Sequence, residues 1–372
     1  MKTVIERSDL LKALNHVQSV VERRNTIPIL SNVLLEAEGG ALGLTATDLE
    51  IEMRERVEAE VAQEGAITAP AHMLYDIVRK LPDGAQVELA TDETGGRLNL
   101  TAGKSSFALQ ALPKEDFPVM ARDEMPVAFA LAAKALGRLI DKTRFAISVE
   151  ETRYYLNGIY LHALEEDGAS LLRAVATDGH RLARVQMERP VGAEAMPAII
   201  IPRKTVGEVQ KLLEEEEGEV SLQVSDTKIN FAFSNIVLTS KLIDGKFPDY
   251  TRVIPSDNDK VLSVDAKSFA QSVDRVSAIS SEKSRAVKLE LDTDRLGLSV
   301  SNPDSGSASD ELAVAYAAAA MEIGFNARYL MDIAGQLDGE TATFELADSG
   351  SPTIVRDGED AHALYVLMPM RV

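Results

Sequence analysis

The sequence repeats itself at a fixed spacing, and nothing else in it constrains the fold as strongly. Val175-Ala176-Thr177-Asp178-Gly179-His180-Arg181-Leu182 has a partial echo at Thr45-Ala46-Thr47-Asp48-Leu49, which aligns Asp178 with Asp48. Leu112, Phe117 and Pro118 return as Leu242, Phe247 and Pro248, and this second match has the same offset as the first. Two independent matches at one offset mark an internal repeat of domain size. A third, fainter copy follows. Residues 261–267 lead into Ser277-Ala278-Ile279-Ser280 as residues 129–134 lead into Phe145-Ala146-Ile147-Ser148.

Each copy reads in the same order. A short strand (3–6, 128–131, 262–264) precedes an amphipathic helix, whose apolar residues fall at three-to-four spacing: Leu10, Leu11, Leu14, Val17 and Val20 in the first copy, Leu136, Leu139 and Ile140 in the second. Period-two strands follow, such as 32–37 and 42–46. A second helix (71–81, 204–215, and from 326 in the third copy) opens at Pro70 or Pro202 in the first two copies, and more strands close the unit. The pattern predicts an α+β chain of three domains, each with two helices and a mainly antiparallel sheet. They span residues 1–123, 124–254 and 255–372, with polar, Pro-bearing junctions at Glu124-Met125-Pro126 and Pro255-Ser256-Asp257-Asn258. A chain of 372 residues is also too long for one ordinary core.

The repeat splits the opening stretch in two. Thr177-Asp178, shared with Thr47-Asp48, predicts a braced turn after a strand. Gly179-His180-Arg181 occurs only in the second copy and is the better candidate for function. Asp178 and His180 by themselves would also suit a general base or part of a metal site. Against that, Asp48 holds the same place with Leu49-Glu50 after it. His16, His72, His162 and His362 have no ligand spacing, and the phosphate-loop, dinucleotide, nucleophile-elbow and zinc-protease motifs are all missing. There is no Cys, which removes disulfides, thiolate metal sites and a thiol nucleophile and suits a reducing cytoplasm. A non-enzyme with no cofactor and no metal is expected, and no run is apolar enough to be a signal peptide or membrane span.

The 59 acidic and 39 basic residues give a net charge of −20, which as an average argues against nucleic acid. An average does not exclude one basic concave face on an otherwise acidic molecule.

Several stretches in order along the chain carry a resemblance to a known family: Ile27-Pro28-Ile29-Leu30-Ser31-Asn32, Thr45-Ala46-Thr47-Asp48-Leu49-Glu50, Arg153-Tyr154-Tyr155-Leu156-Asn157-Gly158, Ala176-Thr177-Asp178-Gly179-His180-Arg181-Leu182, Ile201-Pro202-Arg203-Lys204, Phe247-Pro248-Asp249-Tyr250 and Met368-Pro369-Met370-Arg371. The sequence resembles the bacterial sliding clamp, the beta subunit of DNA polymerase III. That resemblance implies the clamp fold and a head-to-tail homodimeric ring of six domains around duplex DNA, with helices lining the hole. It implies a processivity function without catalysis. The implied partners are the polymerase III core, other polymerases, the clamp loader, mismatch repair proteins and ligase, with no membrane involved.

The helices implied to face the hole carry Lys12, Arg23, Arg24, Arg79, Lys80, Lys134, Arg138, Lys142, Arg203, Lys204, Lys211, Lys267, Arg275 and Arg328, though any of these could equally be an ordinary solvated charge. By motif position the family's DNA-contacting residues fall on Arg24, Arg153, Tyr154, Tyr155, Arg203 and Lys204. At His72-Met73 this chain departs from the basic residue of many relatives. A peptide pocket between the second and third domains is implied at Leu156, Thr177, Gly179, His180, Arg181, Leu182, Pro248, Arg252, Val253, Val366, Leu367, Met368, Pro369, Met370 and Arg371. The aliphatic and Met side chains would form its cavity, with His180 and Arg181 at the rim. A proline within the last apolar strand would place that strand at an edge. The ring interface is implied at Phe107 and Leu109 on one side and Ala278 and Ile279 on the other.

Overall fold

A computed structural model describes residues 1–121, 124–280 and 285–371. The junction expected at residue 123 lies outside the described residues.

Six α-helices lie among the described residues, two per sequence repeat: α1 (Arg7–Gln18), α2 (Ala71–Lys80), α3 (Ala133–Arg144), α4 (Arg203–Leu213), α5 (Ala266–Ser277) and α6 (Ala327–Ala334). Each follows directly on a strand. Pro70 and Pro202, which have no N–H to donate, end the strands before α2 and α4. The third copy uses side chains instead. The Asp265 carboxylate accepts from Ser268 N–H at 2.7 Å at the start of α5, and Asn326 Oδ1 accepts from Arg328 N–H at 2.9 Å at the start of α6. The helices bury one stripe, for example Ala71, Leu74 and Val78 in α2 or Phe269, Val273 and Val276 in α5. No described helix is long and apolar enough to cross a membrane.

The chain forms two compact units. The first takes residues 1–136, 190–197 and 204–242, the second residues 137–189, 198–203 and 243 onward. The middle repeat is thus divided, because each unit is built on an eight-stranded antiparallel sheet shared by two repeats. In the first unit the joint is Ile51–Glu58 against Ile236–Lys241, with Met53 opposite Leu238. In the second it is Arg181–Glu188 against Ala363–Leu367, with Leu182 opposite Val366. The joint strands Ile51–Glu58 and Arg181–Glu188 begin three positions after Asp48 and Asp178 respectively, so the repeat offset also sets where repeats join. Each unit has a smaller sheet as well. Ser105–Gln110 is an edge strand of the five-stranded sheet in the first unit, and Gly306–Ala313 of the four-stranded sheet in the second.

Candidate functional site

The Thr-Asp turn has the same wiring in both copies. Thr47 Oγ1 donates to Ile51 O and accepts from Leu49 N–H, while Asp48 Oδ1 accepts from Glu50 and Ile51 N–H. Thr177 Oγ1 donates to Arg181 O and accepts from Gly179 N–H, while Asp178 Oδ1 accepts from His180 and Arg181 N–H. The third turn residue has φ +78° at Leu49 and +88° at Gly179, the left-handed region. At Gly179 a Cβ would stand 2.5 Å from an Arg153 guanidinium nitrogen, the far end of a flexible side chain that can move aside, so the positive φ is the stronger reason for glycine. Asp178 is a turn brace, as its repeat partner predicts. Its Oδ2 is taken by Arg181 Nε at 3.1 Å.

This wiring corrects two expectations for the pocket. Arg181 is not at a rim. It is buried, donates to Asp332 and to Phe145 O, and its guanidinium carbon lies 4.3 Å from the Tyr329 ring centroid. It pins the second repeat to the third within the second unit, with each of its three guanidinium nitrogens already bonded. Thr177 is buried with its hydroxyl spent inside the turn. His180 is exposed and stacks on Tyr329 with ring centroids 6.3 Å apart.

The chain end departs from the sequence reading as well. The last strand stops at Leu367, so Pro369 lies beyond it and not within it. Met368 N–H donates to His180 O at 2.9 Å and Met370 N–H to Gly324 O at 2.7 Å. Pro369, with no N–H, sits between these two anchors, and Met368 and Met370 are both exposed.

Leu156, Leu182 and Val366 share one apolar cluster with Val175, Ile200, Phe247, Tyr250, Ile354 and Leu364. Tyr160 stacks flat on Phe247 at 4.7 Å. Val366 and Leu367 are themselves fully buried, Leu367 outside this cluster. Around the cluster in sequence, Pro248, Arg252, Val253 and Arg371 are exposed, and Arg252 pairs with Asp249 at 3.0 Å. The second unit therefore presents a buried apolar floor, exposed Met and Val side chains, and His180.

The basic residues divide into free and spent. Arg24 and Arg203 are exposed. Arg153 makes a two-nitrogen pair with Glu150, which holds the Glu150 carboxyl below the usual carboxylate range, and Tyr154 beside it is exposed. Tyr155 meets Tyr154 edge-on and packs against the apolar cluster. Lys204 is committed within the first unit to Asp48 at 2.6 Å, to Glu22 and to Val20 O. Within the second unit Arg138 pairs with Asp360, and Lys142 is buried against Asp338 and Gln336 O. Lys142 is a core cation, which fits neither the hole-facing charge implied for it nor the alternative of an ordinary solvated one. For the expected ring contacts, Phe107 is half-buried on its edge strand. Leu109 is buried in its own sheet, Ala278 is exposed and Ile279 is half-buried.

Three consecutive domains of the DNA polymerase III beta subunit match this chain: the N-terminal domain over residues 1–121, the central domain over 130–249 and the C-terminal domain over 251–371. The chain belongs to the DNA polymerase III beta subunit family. It is 56% identical to the beta sliding clamp of Caulobacter vibrioides over 372 residues and 40% identical to that of Escherichia coli K12 over 375, covering 100% of each chain in both pairs. Among solved structures it resembles the Bartonella birtlesii sliding clamp bound to griselimycin (53% identity, TM-score 0.97) and the Caulobacter crescentus DNA polymerase sliding clamp (55%, TM-score 0.96), each covering 100% of both chains.

Within this beta subunit fold, sequence reasoning passed over Tyr329, Asp332 and Gly324, which order His180, Arg181 and the chain end. It also passed over His16, whose Nδ1 lies 2.8 Å from Glu55. The repeated Thr-Asp pair was the available signal for the turn. No local signal marks a partner 151 residues away, as Asp332 is from Arg181.

Proposed function

We propose that this chain is a non-enzymatic, cytoplasmic sliding clamp with three clamp domains, at 1–123, 124–254 and 255–372. Two chains join head to tail into a ring that encircles duplex DNA without reading its sequence. The ring confers processivity on the replicative polymerase and docks polymerases, the clamp loader, mismatch repair proteins and ligase. The observation that carries this reading is the match to all three beta subunit domains in order, with 56% identity to a beta sliding clamp over the full length of both chains.

Partner segments dock on the second unit's apolar face, at Leu156, Leu182 and Val366 with Pro248, Arg252, Val253 and the tail Met368–Arg371. Gly179 and His180 form one wall, while Thr177, Arg181 and Leu367 hold the site in shape from beneath. The exposed methionines suit several ligand sequences, and griselimycin on the Bartonella birtlesii relative indicates that such a clamp accepts a ligand. Arg24, Arg153, Tyr154, Tyr155 and Arg203 face the DNA backbone, where phosphate contacts position without specifying. Lys204, tied to Asp48 and Glu22, supports that surface indirectly. The ring closes where the edge strand bearing Phe107 and Leu109 meets the region of Ala278 and Ile279. Unpaired backbone donors and acceptors on Ser105–Gln110 and Gly306–Ala313 favour strand addition there.

The test is size-exclusion mass together with retention on nicked circular plasmid in the presence of a clamp loader and ATP. A dimer that stays on circles and is lost on linearisation is expected. A monomer that never stays on circles would overturn the proposal. A hydrolase at Asp178 and His180 is disfavoured, because both Asp178 oxygens are occupied inside the turn.

A further inference from the structure

The apolar face of the second unit runs on into positive charge. Arg184 follows Leu182 by two positions in the same strand, so both project from one face of the sheet. Its cross-strand neighbours are Val175 and Leu364, both members of the apolar cluster. Arg173, opposite Gln186, occupies the next same-face position on one side. Arg356 follows Ile354 by two positions in the strand beyond Leu364. Three guanidinium groups therefore border one apolar cluster, whose members are themselves buried.

Two of the three are matched. Arg173 donates to Gln186, to Tyr250 Oη at 3.1 Å and to Glu166, and Arg356 donates to Glu345 at 2.7 Å. Arg184 is not. Its Nε is buried without a hydrogen-bond partner, and among the described residues no carboxylate pairs with it. Burial, and then repulsion from Arg173, holds its pKa below the ordinary guanidinium value. His162, opposite Arg173, is pushed down to about 4 by burial and by Arg173, so it stays neutral and leaves the positive charge to the arginines.

A buried donor without an acceptor is costly, and a guanidinium fork matches a carboxylate in shape as well as charge. We propose that Arg184 is a carboxylate subsite, binding an acidic side chain of a partner segment whose apolar anchors dock over the Leu182–Val366 cluster. This rests on the docking reading above. Charge complementarity favours an acidic peptide over the DNA backbone, because a single unmatched fork beside an apolar cluster suits one carboxylate next to apolar anchors. A phosphate track would need a row of free, exposed cations, and Arg173 and Arg356 are already spent.

Fluorescent peptides with Leu and Phe side chains as apolar anchors, carrying Glu or Gln at each remaining position in turn, can be titrated against the full-length chain by anisotropy. At one position the Glu peptide is expected to bind about tenfold more tightly than its Gln twin. That ratio should collapse to within about twofold in Arg184→Gln. Equal affinity of every Glu/Gln pair for the wild type would overturn the subsite while leaving the docking face intact. So would a ratio that survives in Arg184→Gln. If that variant does not fold, the wild-type ratios alone decide. If no peptide binds the wild type, the docking reading fails and takes the subsite with it.

Discussion

His16 is a buried imidazole between two carboxylates, with Glu55 at 2.8 Å and Glu215 at 3.5 Å, while Lys12 one turn earlier pairs with the same Glu215 at 2.8 Å. Burial opposes its charge, but the hydrogen bond and charge of Glu55 and the charge of Glu215 outweigh burial and raise its pKa above the ordinary imidazole value. A group whose folded pKa is raised stabilises fully below its unfolded value, and that stability is lost as pH rises through the folded value. The unfolding midpoint of the wild type should therefore exceed that of His16→Gln by more at pH 6 than at pH 9. The two differences should be separated by roughly 2–4 °C. Equal differences at the two pH values would mean that His16 is not charged in the fold. Nothing local in the sequence announces this trio, since Glu55 is 39 residues from His16 and Glu215 is 199 away. Thr177-Asp178 was legible for the opposite reason: its turn bonds close within four positions along the chain.

At the scale of elements, an amphipathic stripe is a local pattern, so α1 and α3 appear on the apolar spacing expected of them, and α2, α4 and α6 begin within a residue of their expected starts. The tail could not. Val366-Leu367-Met368-Pro369-Met370 reads as one apolar strand, but Pro369 cannot donate to a ladder, and the strand gives way to two isolated anchors at His180 O and Gly324 O. Removing residues 368–372 should leave the strand Ala363–Leu367 and its pairing with Arg181–Glu188 in place, and the dimer with them. Peptide affinity should fall by more than about tenfold, as expected when exposed anchor side chains are lost. Anisotropy paired with size-exclusion chromatography checks both halves, and unchanged affinity would detach the tail from the docking face.

For the whole molecule, net charge misleads in both directions. A value of −20 hides exposed cations such as Arg24 and Arg203, while a tally of helix lysines overstates the free ones, because Lys142 and Lys204 are tied to carboxylates. Charge reversal at Arg24 and Arg203 should slow loading onto nicked circles and flatten its salt dependence. Peptide affinity should not change, and an unaltered loading rate would make these ordinary solvated charges. The repeat count was plain in the sequence. The two-unit division was not, because Ile51–Glu58 pairs with a strand near the far end of the next repeat, Ile236–Lys241, where only the finished sheet fixes the register. One consequence concerns dissection. The middle repeat contributes strands to both eight-stranded sheets, so cutting the chain at its sequence boundaries severs a ladder on either side. An excised repeat would expose the raw flank of Ile51–Glu58 or Arg181–Glu188 and would tend to self-associate. The stretch that was duplicated in the sequence is therefore not the piece that can stand alone.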